Sequence, residues 1–333
     1  MRALVVSNMQ PDAGHPERGR FVRDQVDALR RLPELSVELY EFAPGARSLA
    51  RAARHLRGRY AGERFDVVHA HFGLTAWPTL TVRARGRALT VHGTDLSHPR
   101  TRLATRTVLP TVGLLAAVSE TLVEEIPGRR ARARAQVLPC GVDMERFVRI
   151  SRARARAELG LDPTGSYLLF PADPARPEKR HDRAVALAGA VGARLLTLGG
   201  VEPGLVPLYV NAANAVLVPS EREGFGLAVL EALACDVPVL ATPVGVHPQA
   251  LDGLAGTLCA PWELERWRGA LEPQLVEQGV RAPEREQHAI RQGPREVADG
   301  PRVEGRVRAE RFSAARMAER VAGAWRSLVA GAG

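Results

Sequence analysis

Two glutamates, Glu223 and Glu231, lie eight residues apart around a glycine-rich turn that follows an apolar run. The residues after the first glutamate are Gly224, Phe225, Gly226 and Leu227, and a helical pattern continues from there. Glycines let a ligand approach the backbone, and the amides of a helix N-terminus favour phosphate. Eight residues of helix span about 12 Å, roughly the length of a sugar diphosphate plus ribose. One carboxylate could bind sugar hydroxyls and the other a ribose diol, although the pair taken alone fits an ordinary helix start better.

The basic residues are almost all arginine, which makes the single lysine conspicuous. Of the 46 lysines and arginines, only Lys179 is a lysine. It lies in a turn-rich segment after an apolar run, and a compact ammonium group is well suited to phosphate. Arg176 lies three residues earlier and offers a second cation. The alternative interpretation of Lys179 is a lone surface lysine.

Histidines and a glycine in the first half also lie at the ends of apolar runs. The imidazole of His92 could donate to a hydroxyl or stabilise developing charge, or it could be a structural histidine at a strand end. His69 and His71 alternate along a strand and therefore share a face. They lack carboxylate or cysteine company, so we do not interpret them as a metal pair. Gly19 precedes a helix, where it allows close backbone approach or simply forms a turn.

The elements that must position these residues alternate between apolar runs and amphipathic stretches. We predict strands at residues 3–6, 37–40, 66–69, 88–91, 114–118, 136–138, 167–170, 195–198, 215–218 and 237–241. Helices are predicted at residues 21–32, 181–191, 226–235 and 311–330. Continuous apolar runs separated by helices indicate α/β domains with parallel sheets covered on both faces. Ligands bind beyond the carboxyl ends of such strands, where the residues above lie.

The chain length predicts two domains with a junction near the turn residues before 165. We assign 1–150 to an N-terminal Rossmann-like domain and 151–310 to a C-terminal one. Residues 311–333 form a terminal helix. Its apolar face comprises Phe312, Met317, Val321, Trp325 and Leu328. Residues 272–308 are polar and poorly patterned, which fits either a surface helix or a mobile segment.

Composition excludes several classes of protein. The 333 residues are 45% hydrophobic, which rules out a largely disordered chain, and no apolar run is long enough to span a bilayer. The N-terminus is typical of a strand rather than a signal peptide. The cysteines, Cys140, Cys235 and Cys259, have no zinc spacing, so we expect a cytoplasmic protein. We expect no reactive thiol at Cys140, and we interpret Asp95 as a structural turn residue.

The net charge of +9 raises the question of an anionic partner. The arginine clusters at 129–134 and 152–156 contain no aromatic residues for base stacking, so we predict solvated helix faces there rather than a nucleic-acid site. The charge is compatible with peripheral contact with an anionic membrane or with an anionic small molecule.

The segment EGFGLAVLE at 223–231 resembles the E-x7-E motif of retaining family 4 glycosyltransferases of the GT-B fold. Further segments resemble that family's landmarks in the same order: VVHAH at 67–71, TVHGTD at 90–95, AVSE at 117–120, LPCGVDMERF at 138–147, PARPEKRHDRA at 174–184 and ATPVG at 241–245. The resemblance covers roughly residues 1–260 and 311–330. It implies two Rossmann-like domains facing a cleft, with the terminal helix crossing back to the N-terminal domain.

The resemblance also implies roles for individual residues. Glu223 would lie by the donor sugar, Glu231 would hold the ribose, and Lys179 would neutralise the donor diphosphate. His92 would face the donor sugar and, with Glu223 and Lys179, act in catalysis, while His71 would line the acceptor side. The implied donor-binding set is Gly19, Arg176, Lys179, Gly224, Phe225, Gly226, Leu227 and Glu231.

The chain departs from the family pattern in two places. Asp173, Pro174 and Ala175 stand where the family usually has Gly-Arg-Leu, so Arg176 is the candidate replacement for the loop arginine. The stretch 199–206 is short, and we expect the second domain to be shortened, with one strand fewer and a reduced base pocket.

The function implied is a retaining, hexosyltransferase-type transfer from a nucleotide diphosphate sugar to a hydroxyl of a small molecule, glycan or lipid. No metal and no cofactor beyond the sugar nucleotide is implied, and the sequence has no DxD pair. Three alternatives remain open at this point. They are a catalytically impaired nucleotide-sugar-binding homologue, another GT-B enzyme such as a nucleotide-sugar epimerase, and a basic nucleic-acid binder.

Overall fold

A computed structural model describes residues 1–275 and 300–331 and divides into two compact units. Unit 1 comprises Met1–Met144, Glu223–Leu227 and Arg311–Gly333. Unit 2 comprises Glu145–Arg222 and Ala228–Glu310. Each unit is built on its own parallel sheet with helices on its faces, which confirms the predicted fold class.

Unit 1 contains a six-stranded sheet. Its strands are β1 (Arg2–Ser7), β2 (Ser36–Glu41), β3 (Arg64–His71), β4 (Arg83–Val91), β5 (Leu114–Ala117) and β6 (Gln136–Val137), in the order β2-β1-β3-β4-β5-β6. Every neighbouring pair is parallel. Its helices are α1 (Arg20–Arg30), α2 (Ala46–Arg59), α3 (Ala76–Thr79), α4 (Thr94–Ser97), α5 (Pro99–Val108), α6 (Glu120–Glu125), α7 (Arg129–Arg134) and the terminal α15 (Ala314–Ala330).

Strand β1 shows why a continuous apolar run forms the centre of this sheet. Ala3 and Val5 are fully buried in the core that α1 and α15 cover, whereas Leu4 and Val6 are fully buried in the core that α2 covers. Successive side chains of a strand point to opposite faces, so only an uninterrupted apolar run can satisfy both layers.

Unit 2 contains a five-stranded parallel sheet. Its strands are β7 (Tyr167–Phe170), β8 (Arg194–Thr197), β9 (Ala215–Val218), β10 (Val239–Ala241) and β11 (Leu258–Cys259), in the order β11-β10-β9-β7-β8. Its helices are α8 (Arg152–Glu158), α9 (His181–Ala190), α10 (Val206–Ala212), α11 (Leu227–Ala234, which begins at the last residue of the 223–227 segment), α12 (His247–Leu251), α13 (Leu264–Leu275) and α14 (Arg306–Glu310). Within the described residues this sheet has one strand fewer than the sheet of unit 1.

The prediction of a solvated arginine face is wrong for one of the two clusters, the one at 152–156. Arg152 and Arg156 of α8 are buried, because these residues lie one helical turn apart on the face that packs on α10. Arg156 donates to the Ala212 carbonyl at 3.1 Å and to Asn214 Oδ1 at 2.8 Å. The guanidinium groups thus satisfy buried acceptors, which is how a charged side chain is tolerated inside a protein. The arginines of α7 are exposed, as predicted.

The predicted polar segment 272–308 is helical as far as Leu275, and 276–299 lies outside the described residues. No helix in the described part of the chain is both long and apolar enough to cross a membrane.

The terminal helix α15 has the predicted apolar face. Ser313 caps the helix, its Oγ accepting from the Arg316 amide at 3.3 Å. Met317, Val321 and Trp325 are then buried in the same core as α1. The last segment of the chain therefore completes the core of unit 1.

We expect Trp325→Ala to lower the free energy of unfolding by about 3–5 kcal/mol, the usual cost of truncating a buried aromatic side chain. Arg320→Ala on the exposed face of the same helix should change it by no more than about 0.5 kcal/mol. Urea unfolding followed by circular dichroism measures both. Equal stabilities for the two variants would contradict a core role for α15.

Candidate functional site

The order of the strands creates a switch point in each sheet, and the motif residues lie at or next to these points. In unit 1 the chain leaves β1 for β2 on one side and later returns to β3 on the other. Open α/β sheets bind ligands beyond the carboxyl ends of the strands that flank such a reversal. Gly19 follows β1, His71 ends β3, and His92 follows β4 directly. The structure therefore places these three predicted site residues at one edge of one sheet.

Position 19 requires glycine because of its backbone conformation and the atoms close to it. Its φ of 70° lies in the left-handed region, and a Cβ there would lie 2.4 Å from the Met9 carbonyl oxygen. It is the N-cap of α1, and no side chain caps that end of the helix.

His92 is held on several sides. Its Nε2 lies 2.9 Å from Nδ1 of His71, and its ring packs against Phe21 and Phe72 with centroid distances of 4.9 and 4.7 Å. Burial lowers the pKa of His92 to about 3, so the ring is neutral at physiological pH. The side chain nevertheless stays partly exposed, so this neutral imidazole can meet a ligand.

His71 is placed differently from its predicted role. The side chain is fully buried, with Nε2 lying 3.4 Å from Nε2 of Gln25. Its contacts are Gln25 of α1 and the rings of His69 and His92, so in this structure it supports the ring of His92 and is not exposed to an acceptor. Gln25 was not predicted from the sequence. Its only signal was a polar residue among the apolar positions of α1, between Val22 and Val26, and Asp24 of the same helix is polar and buried as well.

His69 is a buried residue of the core of unit 1. Trp325 Nε1 donates to its Nδ1 at 3.2 Å, so its own proton lies on Nε2 and is donated to Thr90 Oγ1 at 2.8 Å. Burial lowers the pKa of His69 to about 3, and it lowers the pKa of His71 well below its ordinary value.

A buried carboxylate shapes the turn that carries His92. Asp95 accepts from the amides of Gly73, His92 and Gly93, at 3.1, 3.1 and 2.9 Å. Burial raises the pKa of Asp95 to about 6, and the three amides offset part of that rise by favouring the charged form. The turn residue expected from the sequence thus fixes two separate loops at the site.

The segment Glu223–Leu227 packs in unit 1 against this same turn. A Cβ on Gly224 would lie 2.3 Å from the His92 carbonyl oxygen, so only glycine fits. The Gly224 carbonyl accepts from Ser119 Oγ at 3.0 Å, which gives the AVSE segment a role that its sequence did not suggest. Phe225 is buried, and its ring lies edge-on to Phe312 at 6.3 Å. Gly226 has a φ of 104°, a positive value that favours glycine at this position too.

The two glutamates are not on one helix, which corrects the estimate of their separation. Helix α11 begins at Leu227, so Glu231 lies on it and Glu223 precedes it. The helical rise per residue therefore applies only from Leu227 to Glu231, and the estimate of about 12 Å between the two glutamates does not hold. Glu231 belongs to unit 2 and Glu223 to unit 1.

In unit 2 the reversal lies between β7 and β9, and Lys179 follows β7 there. Residues Pro177–Lys179 form a 3-10 turn before α9. The Glu221 amide, after β9, donates to the Glu178 carbonyl at 2.9 Å. The loops that leave the two strands at the switch point are thereby joined.

The arginines of this loop are paired with carboxylates. Arg176 donates through Nη2 and Nε to the Glu178 carboxylate, at 2.6 and 3.0 Å, and its side chain is half exposed. Arg180 pairs with Asp182 at 2.7 Å and also with Glu221. Arg176, which we proposed as the replacement for the missing loop arginine, is therefore paired with a carboxylate of its own loop.

The remaining candidates for chemistry are unremarkable. Burial raises the pKa of Cys140 and of Cys235 to about 12, so both remain thiols at neutral pH. The described residues contain no group of three or more histidine, cysteine or carboxylate side chains that could hold a metal.

The buried histidines predict a pH dependence of stability. Burial keeps His69, His71 and His92 neutral when folded, while an unfolded chain protonates them near pH 6.5. Their contribution to stability is therefore fully present above pH 6.5 and is lost as the pH falls below it, by up to about 4.1 kcal/mol per pH unit for the three. Asp95, whose pKa is raised to about 6 in the folded state, opposes this loss below about pH 6. Denaturant unfolding between pH 7.5 and 5.5 measures the slope. His71→Asn should reduce it and His98→Asn, at an exposed site, should not; equal slopes would contradict the assignment.

Comparison with known proteins gives consistent matches along the chain. Residues 3–146 match the family described as Glycosyltransferase Family 4, and residues 177–292 match Glycosyl transferases group 1. The chain is similar to structures that include sucrose-phosphate synthase from Thermosynechococcus elongatus, with a TM-score of 0.71 and 18% identity over 99% of this chain and 100% of the other. Anabaena HepE in complex with UDP and glucose gives 0.66 and 16% over 98% and 100%.

Curated relatives are closer in sequence. D-inositol 3-phosphate glycosyltransferase of Actinosynnema mirum is 30% identical over 74% of this chain and 71% of its own length. The enzyme of the same name from Mycobacterium marinum is 27% identical, and the match spans 73% of this chain and 61% of that protein. The chain is therefore a glycosyltransferase and belongs to family 4 of the GT-B fold.

Proposed function

We propose that this glycosyltransferase moves a sugar from a nucleotide diphosphate sugar to a hydroxyl acceptor, with retention of the anomeric configuration. The observation that carries the proposal is the placement of motif residues at or next to the switch point of each sheet. Gly19 and His71 follow the strands that flank the reversal in unit 1, His92 follows the next strand, β4, and Lys179 lies at the reversal in unit 2. A phosphate-bearing ligand is what such crevices commonly hold.

The loop before α9 supports binding of the diphosphate. Its arginines are anchored to carboxylates, which fixes the shape of the loop around Lys179. An ammonium carried on a loop of fixed shape needs less reorganisation when negative charge develops on the departing diphosphate. The eight-residue helix α11 adds N-terminal amides, which also favour an anion. In this proposal these groups stabilise the leaving group without a metal ion.

The first acceptor to test is a phosphorylated cyclitol. The curated relatives cited above are named as glycosyltransferases of D-inositol 3-phosphate. A net charge of +9 is compatible with an anionic acceptor. A panel of inositol phosphates and neutral polyols, each with UDP-, ADP- and GDP-sugars, would identify the pair that releases nucleotide. Product NMR would then give the anomeric configuration.

A second candidate is a homologue that binds the sugar nucleotide but turns it over poorly. It is favoured by the departures at 173–175 and by the pairing of Arg176 with Glu178. Calorimetric binding of a sugar nucleotide without nucleotide release, for every acceptor in the panel, would support this candidate over transfer.

Lys179→Ala should lower kcat/KM by roughly 30- to 150-fold, equivalent to about 2–3 kcal/mol, the cost of removing one preorganised charge. Lys179→Arg should recover part of the loss, because the charge returns with a different shape. Arg268→Ala, on the surface of the same unit, is the matched control. Steady-state kinetics with all three variants would contradict the assignment if Lys179→Ala behaved like the control.

The two glutamates should separate binding from turnover. We expect Glu231→Ala to weaken donor affinity, since it removes the proposed ribose contact, and Glu223→Ala to lower kcat. Calorimetry with the donor nucleotide, together with kcat measurements, tests both. Wild-type values for both variants would rule out the proposed roles of the E-x7-E motif here.

A further inference from the structure

A line of three polar side chains runs from the interior of unit 1 to the partly exposed ring of His92. Gln25 is buried on α1, with its Nε2 lying 3.4 Å from Nε2 of His71. Nδ1 of His71 lies 2.9 Å from Nε2 of His92. The three groups come from α1, the end of β3 and the residue after β4, so the fold and not local sequence brings them together.

The protons along this line are determined by its inner end. An amide nitrogen only donates, so Nε2 of His71 must accept from Gln25. A neutral His71 then carries its proton on Nδ1 and donates it to Nε2 of His92. His92 in turn carries its proton on Nδ1. Because burial keeps both rings neutral, each nitrogen has one role.

The outer nitrogen of His92 is the one that a ligand can reach. Its ring is packed by Phe21 and Phe72, and its main chain is fixed by Asp95 and by the contact with Gly224. In the described part of the chain Nδ1 has no hydrogen-bond partner, and the residue is partly exposed.

We propose that Gln25 and His71 are positioning residues that fix the tautomer of His92, so that His92 presents an Nδ1–H donor to the bound substrate. The proposal rests on the proposed function, in which His92 faces the sugar donor. A donor at this point can bind a sugar hydroxyl oxygen or stabilise an oxygen that gains negative charge during transfer. The opposite tautomer would present a lone pair there and would repel such an oxygen.

A third histidine, His69, provides an internal reference. His69 stacks on His71 with a centroid distance of 4.7 Å, but its tautomer is determined by Trp325 and Thr90 and not by Gln25. A change in the Gln25 line should leave His69 unaltered, whereas general loosening of the core would alter both.

The experiment is 15N NMR of the full chain labelled only at its nine histidines, with each signal assigned by histidine substitution. The expected wild-type spectrum shows Nδ1–H on His71 and His92, and Nε2–H on His69. A wild-type His92 protonated on Nε2 would overturn the proposal without any variant.

Gln25→Met removes the donor and keeps the side-chain volume. His71 should then shift toward Nε2–H, the form that imidazole favours in water, and His92 should follow it. Thr90→Val is the matched control, because it removes the hydrogen-bond partner of His69, and the hydrogen bonds of the line run through Gln25, His71 and His92 without the Thr90 hydroxyl. We expect kcat to fall on the order of tenfold for Gln25→Met, as positioning losses do, with KM changed less than about twofold, and both constants to be unaltered for Thr90→Val.

The spectra and the kinetics separate two kinds of failure. Unchanged tautomers of His71 and His92 in Gln25→Met would overturn the positioning role, whatever the activity. Tautomers that respond as expected, in a protein that transfers no sugar in any assay, would leave the hydrogen-bond line intact and refute the proposed function instead. Should Gln25→Met fail to fold, His71→Phe provides the same test at the next link, since His92 should then lose its fixed Nδ1–H.

Discussion

The turn after β4 depends on a single buried carboxylate. Asp95 accepts hydrogen bonds from the amides of Gly73, His92 and Gly93, which lie in two loops some twenty residues apart in sequence. Each of these amides would destabilise the fold if it were buried without an acceptor. The two loops can therefore pack together only because the carboxylate accepts from all three. Once the turn is fixed, the His92 carbonyl can meet Gly224 and the His92 ring can meet His71.

The neutral imidazoles follow from the same packing. Three histidines lie close together between the sheet and its covering helices, and their hydrogen-bond partners described above are amide, hydroxyl, indole and imidazole groups, none of them a carboxylate. Desolvation without a counter-charge keeps them uncharged, which makes them hydrogen-bonding groups with defined directions.

Much of the fold could be predicted from the sequence because its strands are buried on both faces. The runs at 167–170 and 215–218 coincide with β7 and β9. Helix α2 was missed because only Ala52 and Leu56 of its arginine-rich surface are buried, and β11 is only two residues long. At the site, residues at strand ends could be located from their position alone. Gln25 and the amide partners of Asp95 could not, because tertiary packing alone brings them to the site.

Unit 1 is assembled from three separate stretches of the chain, and this has a consequence for biosynthesis. The first 144 residues include the whole six-stranded sheet, yet the helix that completes their core begins at Ala314. On the ribosome, the apolar surface of α1 and its strands stays uncovered while all of unit 2 is synthesised. Met317, Val321 and Trp325, which cover it, are added only afterwards. Contacts so distant in sequence form slowly and leave apolar surface exposed meanwhile. The nascent chain is thus most vulnerable to aggregation in unit 1, the half that is made first.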